Sequence, residues 1–119
     1  MGKAKKALVI TLTVLGLLIV LTPIVYVRVG IVVYAHRVRE YLTEELGYTR
    51  AEIASVKGKW TIKAPPFVVL VKFRDEPEVE YTYFAHDGVV QFSHDISQEG
   101  LDKGITEKSL RHYIPFDPY

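Results

Sequence analysis

The feature that most constrains this chain is an uncharged apolar run near its N-terminus, from Ala7 to Val27. About 21 residues at about 1.5 Å of rise per residue form a helix of about 31 Å, which matches the hydrocarbon core of a bilayer. The threonines in the run are tolerated in lipid because a helical hydroxyl bonds back to its own backbone. Pro23 predicts at most a kink. We therefore predict a transmembrane helix over residues 7–27.

A cleaved signal peptide is the alternative interpretation of this run. The apolar core of a signal peptide has about 7–15 residues and is followed by a small-x-small cleavage site. Here the run is longer and ends in Tyr26-Val27-Arg28, and only Val33-Tyr34-Ala35 offers a weak cleavage sequence. The pattern favours an anchor that stays attached.

The charges beside the run predict its orientation. Lys3, Lys5 and Lys6 stand directly before it, whereas the arginines beyond it are more widely spread and are followed by glutamates. Positive residues collect on the cytoplasmic side of membrane helices. We expect a cytoplasmic head at residues 1–6 and a single-pass protein of the cell membrane, with its domain outside the cytoplasm.

Composition excludes several classes of protein. The chain has 15 basic and 14 acidic side chains, and four of the basic ones flank the apolar run. The domain beyond is mildly acidic, so we expect no nucleic-acid partner. Without cysteine there is no disulfide framework, lipidated cysteine or thiolate metal site.

The pattern of residues 28–96 predicts one α+β domain. Between Gly30 and Leu46 the apolar residues recur at i, i+3, i+4 and i+7, the pattern of an amphipathic helix, and Gly47 is its natural stop. The following residues alternate with period two, which predicts four strands near 55–63, 67–74, 78–86 and 89–96.

The two predicted hairpins agree on one apolar face of the sheet. A turn at Asp87-Gly88 pairs Tyr83 with Phe92, and a turn at 75–77 pairs Val69 with Tyr83. Together they place nine residues on the core face: Phe67, Val69, Val71, Phe73, Val79, Tyr81, Tyr83, Val90 and Phe92. We predict a four-stranded antiparallel meander with the amphipathic helix across this face, followed by a short C-terminal helix or tail at 97–119.

Two stretches resemble a known family. They are Val38–Leu42, running on to Gly47-Tyr48, and the segment from Val71 to Tyr83, whose pattern FxDEPxVxYxY is the more specific. They resemble short single-span membrane proteins of Gram-positive bacteria that are catalogued as a domain of unknown function. The resemblance extends from the membrane helix to about Asp95. It implies the architecture and a membrane address, and brings no activity, cofactor or site residue.

Motifs for catalysis or metal binding are weak. The sequence has no nucleophile elbow, cysteine nucleophile or glycine-rich phosphate loop, so we expect a non-enzymatic protein without a cofactor. His86-Asp87 and His94-Asp95 look like a repeated ligand pair, but the predicted register puts the two histidines on opposite faces. The acidic turn at 75–78 would suit calcium. Cross-strand pairs with basic residues, such as Arg74 with Glu78, explain it better.

The outer sheet face carries the most informative candidate site. Val68, Leu70 and Phe84 are expected to cluster there, with Val89 at the hairpin end. An exposed apolar cluster of this kind needs a cover. Either the tail folds over it through Ile114, Phe116 and Tyr119, or the cluster binds a membrane or envelope protein or a second copy of the chain.

A lysine stripe on the first strand is the other candidate site. Lys57, Lys59 and Lys63 share its polar side. Such lysines commonly protect an edge strand from aggregation, and they also suit an anionic lipid or wall polymer. We expect a membrane-anchored interaction module, with a binder of an envelope ligand (an anionic polymer, a lipid or a cation) as the alternative.

Overall fold

The structure is a computed structural model that describes residues 2–62 and 66–116. Its elements in chain order are α1 (Lys3–Glu40), a π-helical turn (Tyr41–Glu45), β1 (Ile53–Trp60), β2 (Phe67–Phe73), β3 (Glu76–Phe84), β4 (Val90–Ile96), α2 (Gln98–Asp102) and a 3₁₀ turn (Glu107–Ser109). The four strands form one antiparallel sheet in the order β1-β2-β3-β4. The predicted α+β class and meander are confirmed.

The predicted membrane helix and the predicted amphipathic helix are one continuous element, α1, of 38 residues. Its first part is long and apolar enough to cross a membrane, and the apolar side chains there are exposed. The hydroxyls of Thr13 and Thr22 donate to the carbonyls of Val9 (2.8 Å) and Leu18 (2.5 Å). Pro23 lies within the helix without ending it. The apolar run and the domain are therefore joined without a flexible linker.

The core lies between the last turns of α1 and one face of the sheet. Val38 and Leu42 from the helical segment are fully buried. They pack with a cluster of sheet residues: Ile53, Val69, Val71, Phe73, Val79, Tyr81, Tyr83 and Ala85. Seven of the nine predicted core-face residues are buried as expected.

Two glycines set how closely α1 approaches the sheet. A Cβ atom added at Gly58 of β1 would collide with the backbone oxygen of Ile31, and one added at Gly30 would collide with the ring of Phe67. Each glycine therefore leaves the space that a neighbour on the opposite element fills.

These contacts show how the strands run relative to α1. Phe67, at the start of β2, meets Gly30 in the middle of α1, whereas Phe73, at its end, meets Tyr48 beyond the helix, with ring centroids 4.9 Å apart. Since β1 is antiparallel to β2, β1 points back toward the apolar run and ends there at Trp60. We call this end of the sheet, where the β1–β2 and β3–β4 loops lie, the near end.

The predicted register between β3 and β4 is correct far from the hairpin loop and wrong close to it. Tyr81 pairs with His94 as predicted, but a bulge shifts the ladder so that Tyr83 pairs with Gln91. Gln91 is buried, whereas Val90 and Phe92 are exposed. The prediction that these last two lie on the core face is wrong, because an extra residue in one strand reverses the faces beyond it.

The hairpin between β2 and β3 also differs locally. Val69 pairs with Tyr83 as predicted, but the turn is tighter than expected and Phe73 pairs with Glu76. The predicted pair of Arg74 with Glu78 is therefore wrong. Instead Glu78 accepts a hydrogen bond of 2.9 Å from the Lys103 ammonium group.

Replacing Gly58 by valine should lower the free energy of unfolding by about 1–3 kcal/mol, because the side chain must displace the backbone of α1. Guanidinium unfolding in detergent micelles, followed by the fluorescence of Trp60, measures this, since Trp60 is the chain's single tryptophan. Lys59→Val on the opposite face of β1 is the matched control and should change stability by less than about 0.5 kcal/mol. Equal midpoints for the two variants would contradict the close approach.

Candidate interaction site

The sheet face turned away from α1 carries an apolar surface. Val68, Leu70 and Phe84 lie there half-buried, as predicted from the alternation. The bulge in β4 adds Val90, which is 37% exposed, and Phe92, which is 47% exposed. The rings of Phe84 and Phe92 stack with centroids 4.3 Å apart. We call these five residues the outer patch.

Val89 does not belong to the outer patch. It packs against the core on the α1 side, where it lines a recess with Arg37 and Tyr41. The loop between β3 and β4 is longer than the predicted two-residue turn, since the last pair is Phe84 with Val90. Val89 is therefore free to turn toward the helix.

The two histidines of the repeated pair have different partners, and both of these partners lie on the α1 side of the sheet, so the prediction that the histidines lie on opposite faces is wrong. His86 contacts Tyr34 of α1, with 3.2 Å between its Nδ1 and the tyrosine hydroxyl. His94 instead meets the ring of Tyr113 edge-on at 4.9 Å. Across residues 2–62 and 66–116 no three histidine, aspartate or glutamate side chains are grouped as metal ligands.

Two of the predicted lysines border the outer patch. Lys57 pairs with Leu70 and Lys59 pairs with Val68 across the β1–β2 ladder. Both lysines are exposed. The third, Lys63, lies outside the described residues. Lys57 and Lys59 thus add positive charge along one side of an apolar surface.

The tail takes a different path from the one that would cover the outer patch. From Leu110 to Ile114 it lies on the α1 side of the sheet. Phe116 then reaches the rim of the outer patch, with its ring centroid 5.6 Å from that of Phe92. Tyr119 lies outside the described residues. The described tail therefore contacts the outer patch only at its rim.

Polar residues of the FxDEPxVxYxY segment hold the tail. Asp75 accepts a hydrogen bond of 2.7 Å from Nε2 of His112. The buried Glu76 carboxylate accepts from the Tyr81 hydroxyl at 2.6 Å and from the backbone N–H of Arg111 at 2.9 Å.

Stacking and a buried amide complete this arrangement. The His112 ring stacks on Phe73 with 3.8 Å between centroids. The Gln91 side chain donates to the Tyr83 hydroxyl at 3.0 Å and to the His112 carbonyl at 2.9 Å, and accepts from the Ile114 N–H at 2.8 Å. We call the contacts of Asp75, Glu76, Tyr81 and Gln91 with residues 111–114 the tail latch.

Sequence reasoning missed the tail latch because its two halves are about 35 residues apart, as in the bond from Arg111 to Glu76. One signal was available. Tyr81 and Tyr83 were predicted on the core face, where their hydroxyls need hydrogen-bond partners. Glu76 and Gln91 on the strands supply those partners, and both of these side chains also bond to the distant tail.

Burial and hydrogen bonding shift the pKa values of the ionisable groups around the tail latch and so set their protonation states. Burial and the hydrogen bond to Glu76 raise the pKa of Tyr81, and burial raises the pKa of Tyr83 to about 12. Burial also raises the pKa of Asp75, but the hydrogen bond and charge of His112, aided by Arg111, outweigh it and lower that pKa. At neutral pH both tyrosine hydroxyls are therefore protonated and Asp75 is a carboxylate.

Comparison with known protein families identifies a family whose model matches this chain. The model of a family described as protein of unknown function (DUF3139) matches residues 4–83, more than half of the chain. The match covers α1 from its second residue, β1, β2, and β3 up to Tyr83. It includes the whole FxDEPxVxYxY segment. No curated protein and no solved structure matches the chain.

Acid should loosen the tail latch. Because the pKa of Asp75 is lower in the folded chain than in the unfolded chain, its contribution to stability is present above the ordinary aspartate pKa of about 3.9. That contribution is lost as the pH falls through the lower folded value. We expect the backbone NMR signals of Arg111 and Ile114 to move toward unstructured positions as the pH falls from about 5 to about 3.

The matched control is Asp75→Asn, which removes the titrating group and keeps its shape. Its tail signals should be shifted already at neutral pH and should change less on acidification. An acid response as large as that of the unmodified protein would contradict a role for Asp75.

Proposed function

We propose, on the premise that this chain belongs to the family of proteins of unknown function DUF3139, that it is a non-enzymatic interaction module held at the outer surface of a cell membrane. The observation that carries the proposal is the outer patch, an apolar surface bordered by lysines that the described tail meets only at its rim. Apolar surfaces of this kind on small domains commonly mark interaction sites.

Support for the membrane location comes from the first half of α1. Its apolar side chains are exposed to the surroundings and pack on nothing in the described chain. Water would disfavour such a surface, whereas a bilayer would cover it. The lysine head before it favours a cytoplasmic N-terminus and an extracytoplasmic domain, crossing the membrane once.

Support for a non-enzymatic role comes from the polar groups inside the domain. In the part of the chain that the structure describes, no buried side-chain nitrogen or oxygen lacks a hydrogen-bond partner. Glu76, Tyr81 and Gln91 are engaged with the tail. Such a satisfied network stabilises a fold.

The chemistry of the outer patch favours a protein partner anchored in the same membrane. Phe84 and Val90 lie at the near end of the sheet, which faces the apolar run. Lys57 and Lys59 lie along the side of the patch. The surface that fits has an apolar centre and an acidic border, and belongs to a protein at the same height above the bilayer.

A second copy of this chain fits less well. A symmetric pair anchored in one membrane has its two-fold axis along the membrane normal, which sets β1 of one copy against β4 of the other. Lys57 and Lys59 would then lie opposite Val90, Phe92 and Ser93, which offer no carboxylate at that level. The lysines therefore favour a different, acidic partner.

Binding of an anionic envelope ligand is the second candidate function. The exposed Lys57 and Lys59 on one strand favour it, because two ammonium groups on one face attract polyanions such as wall polymers or lipid headgroups. Binding of this kind depends strongly on salt and needs no apolar patch.

Replacing Phe84 by glutamate should abolish partner binding, because a charge is placed in the apolar centre of the outer patch. In-cell crosslinking of the tagged full-length chain, with purification and mass spectrometry, measures it. We expect one membrane protein recovered reproducibly, with at least a roughly tenfold loss in the variant. Ser55→Glu on the same face, outside the patch, is the control and should retain binding.

The remaining outcomes separate the candidates. Unchanged recovery of a partner with a folded Phe84→Glu variant would overturn the outer patch as the site. Only self-crosslinks would overturn the heterologous partner. Salt-sensitive polymer binding that is lost when Lys57 and Lys59 become alanine, but kept in Phe84→Glu, would favour the second candidate.

A further inference from the structure

The tip of the β1–β2 hairpin carries exposed apolar residues at the near end of the sheet. Ile62 is 91% exposed and Trp60 is 43% exposed. The backbone N–H of Thr61 donates to the Pro66 carbonyl at 2.7 Å, so the hairpin is closed directly below the tip. A nearly fully exposed isoleucine beside a half-exposed tryptophan is unfavourable in water.

The height of this tip follows from ring contacts with α1. Phe67, the cross-strand partner of Trp60, lies with its ring centroid 5.6 Å from that of Tyr26. Tyr26 is the next-to-last residue of the uncharged run. The Phe67 ring also lies 5.1 Å from that of Tyr34, so it sits between the two tyrosines, beside Gly30. Because β1 runs toward the apolar run from Gly58, which meets Ile31, Trp60 two residues further lies close to the end of the proposed membrane segment.

Ile62 extends further toward the membrane. It follows Trp60 by two residues and lies in the bend beyond the end of β1, on the loop side of the bond between Thr61 and Pro66. Because α1 is continuous through this region, the height of the tip relative to the apolar run is fixed by the helix. Ile62 is therefore held at the near end of the sheet, which faces the apolar run.

The space between the hairpin and α1 is also apolar. A groove of about 640 Å³ runs along α1 beneath Phe67, lined among others by Leu18, Leu21, Val25 and Val29. No charged side chain lines it. Such a groove suits lipid acyl chains better than water.

We infer that the β1–β2 hairpin is a second membrane contact, in which Trp60 lies at the headgroup level and Ile62 enters the bilayer interface. Tryptophan favours this zone because its ring is apolar while its N–H seeks a polar partner. The inference rests on the membrane anchoring proposed for α1 and is independent of what binds the outer patch. Two contacts fix the rotation of the sheet about the α1 axis. The outer patch then faces in a direction parallel to the membrane plane.

The single tryptophan makes the test direct, because all tryptophan emission comes from Trp60. The full-length chain is placed in phosphatidylcholine vesicles whose acyl chains are brominated either near the headgroup or near the chain end. We expect blue-shifted emission and at least twofold stronger quenching by the shallow bromines than by the deep ones. Emission that is unquenched by both lipids and accessible to aqueous acrylamide overturns the contact.

Two variants separate insertion of the tip from mere proximity. Ile62→Glu should reduce shallow quenching at least twofold, because a carboxylate disfavours the interface. Leu101→Glu replaces another exposed apolar residue, 51% exposed on α2, and should leave quenching unchanged. Equal quenching in Ile62→Glu and the unmodified chain overturns the role of the tip.

Vesicle flotation distinguishes failure of this inference from failure of the anchor. A chain that does not float with the vesicles overturns both proposals. A chain that floats while Trp60 stays unquenched overturns only the hairpin contact. Phe84→Glu should float and be quenched like the unmodified chain, since the outer patch is not part of the contact.

Discussion

The close contact of α1 with the sheet at Gly30 and Gly58 is the constraint on which the rest of the structure depends. Because neither position has a side chain, Ile31 and Phe67 fill the space and lock the helix against β1 and β2. The same helix continues without a break into the apolar run. The height and direction of the domain relative to that run are thus set by packing, with no linker to relax them.

Because the connection is rigid, the hairpin tip and the outer patch have fixed positions relative to the apolar run. A flexible linker would let the hairpin tip and the outer patch sample every orientation. With α1 continuous, Trp60 is held close to the end of the apolar run, and the near end of the sheet faces the proposed membrane. The proposed partner contact and the proposed lipid contact therefore occupy different sides of one fixed body.

The tail latch shows why the FxDEPxVxYxY segment is more than a turn between strands. Glu76 is buried, and a buried carboxylate without partners is strongly destabilising. It is satisfied by Tyr81 within the segment and by Arg111 from the tail. The family match ends at residue 83, so in this chain part of the matched segment is completed by residues beyond the match.

Local patterns predicted most of the architecture. The uncharged run, the helical spacing up to Leu46 and the period-two alternation correspond to α1 and the four strands, since each depends on residues close in sequence. Pairings such as Val71 with Tyr81 also followed from hairpin geometry. The same alternation placed Val68, Leu70 and Phe84 together on the outer face.

The tertiary structure decided what depends on distant residues or on a single inserted one. The bulge in β4 moved Phe92 outward and Gln91 inward, because a one-residue shift reverses every face beyond it. Gln91 is accommodated inside because Tyr83 and the distant tail together supply partners for its amide. The sequence by itself therefore determined the elements and their order, while long-range packing and hydrogen bonding determined which face of the sheet the described part of the tail covers.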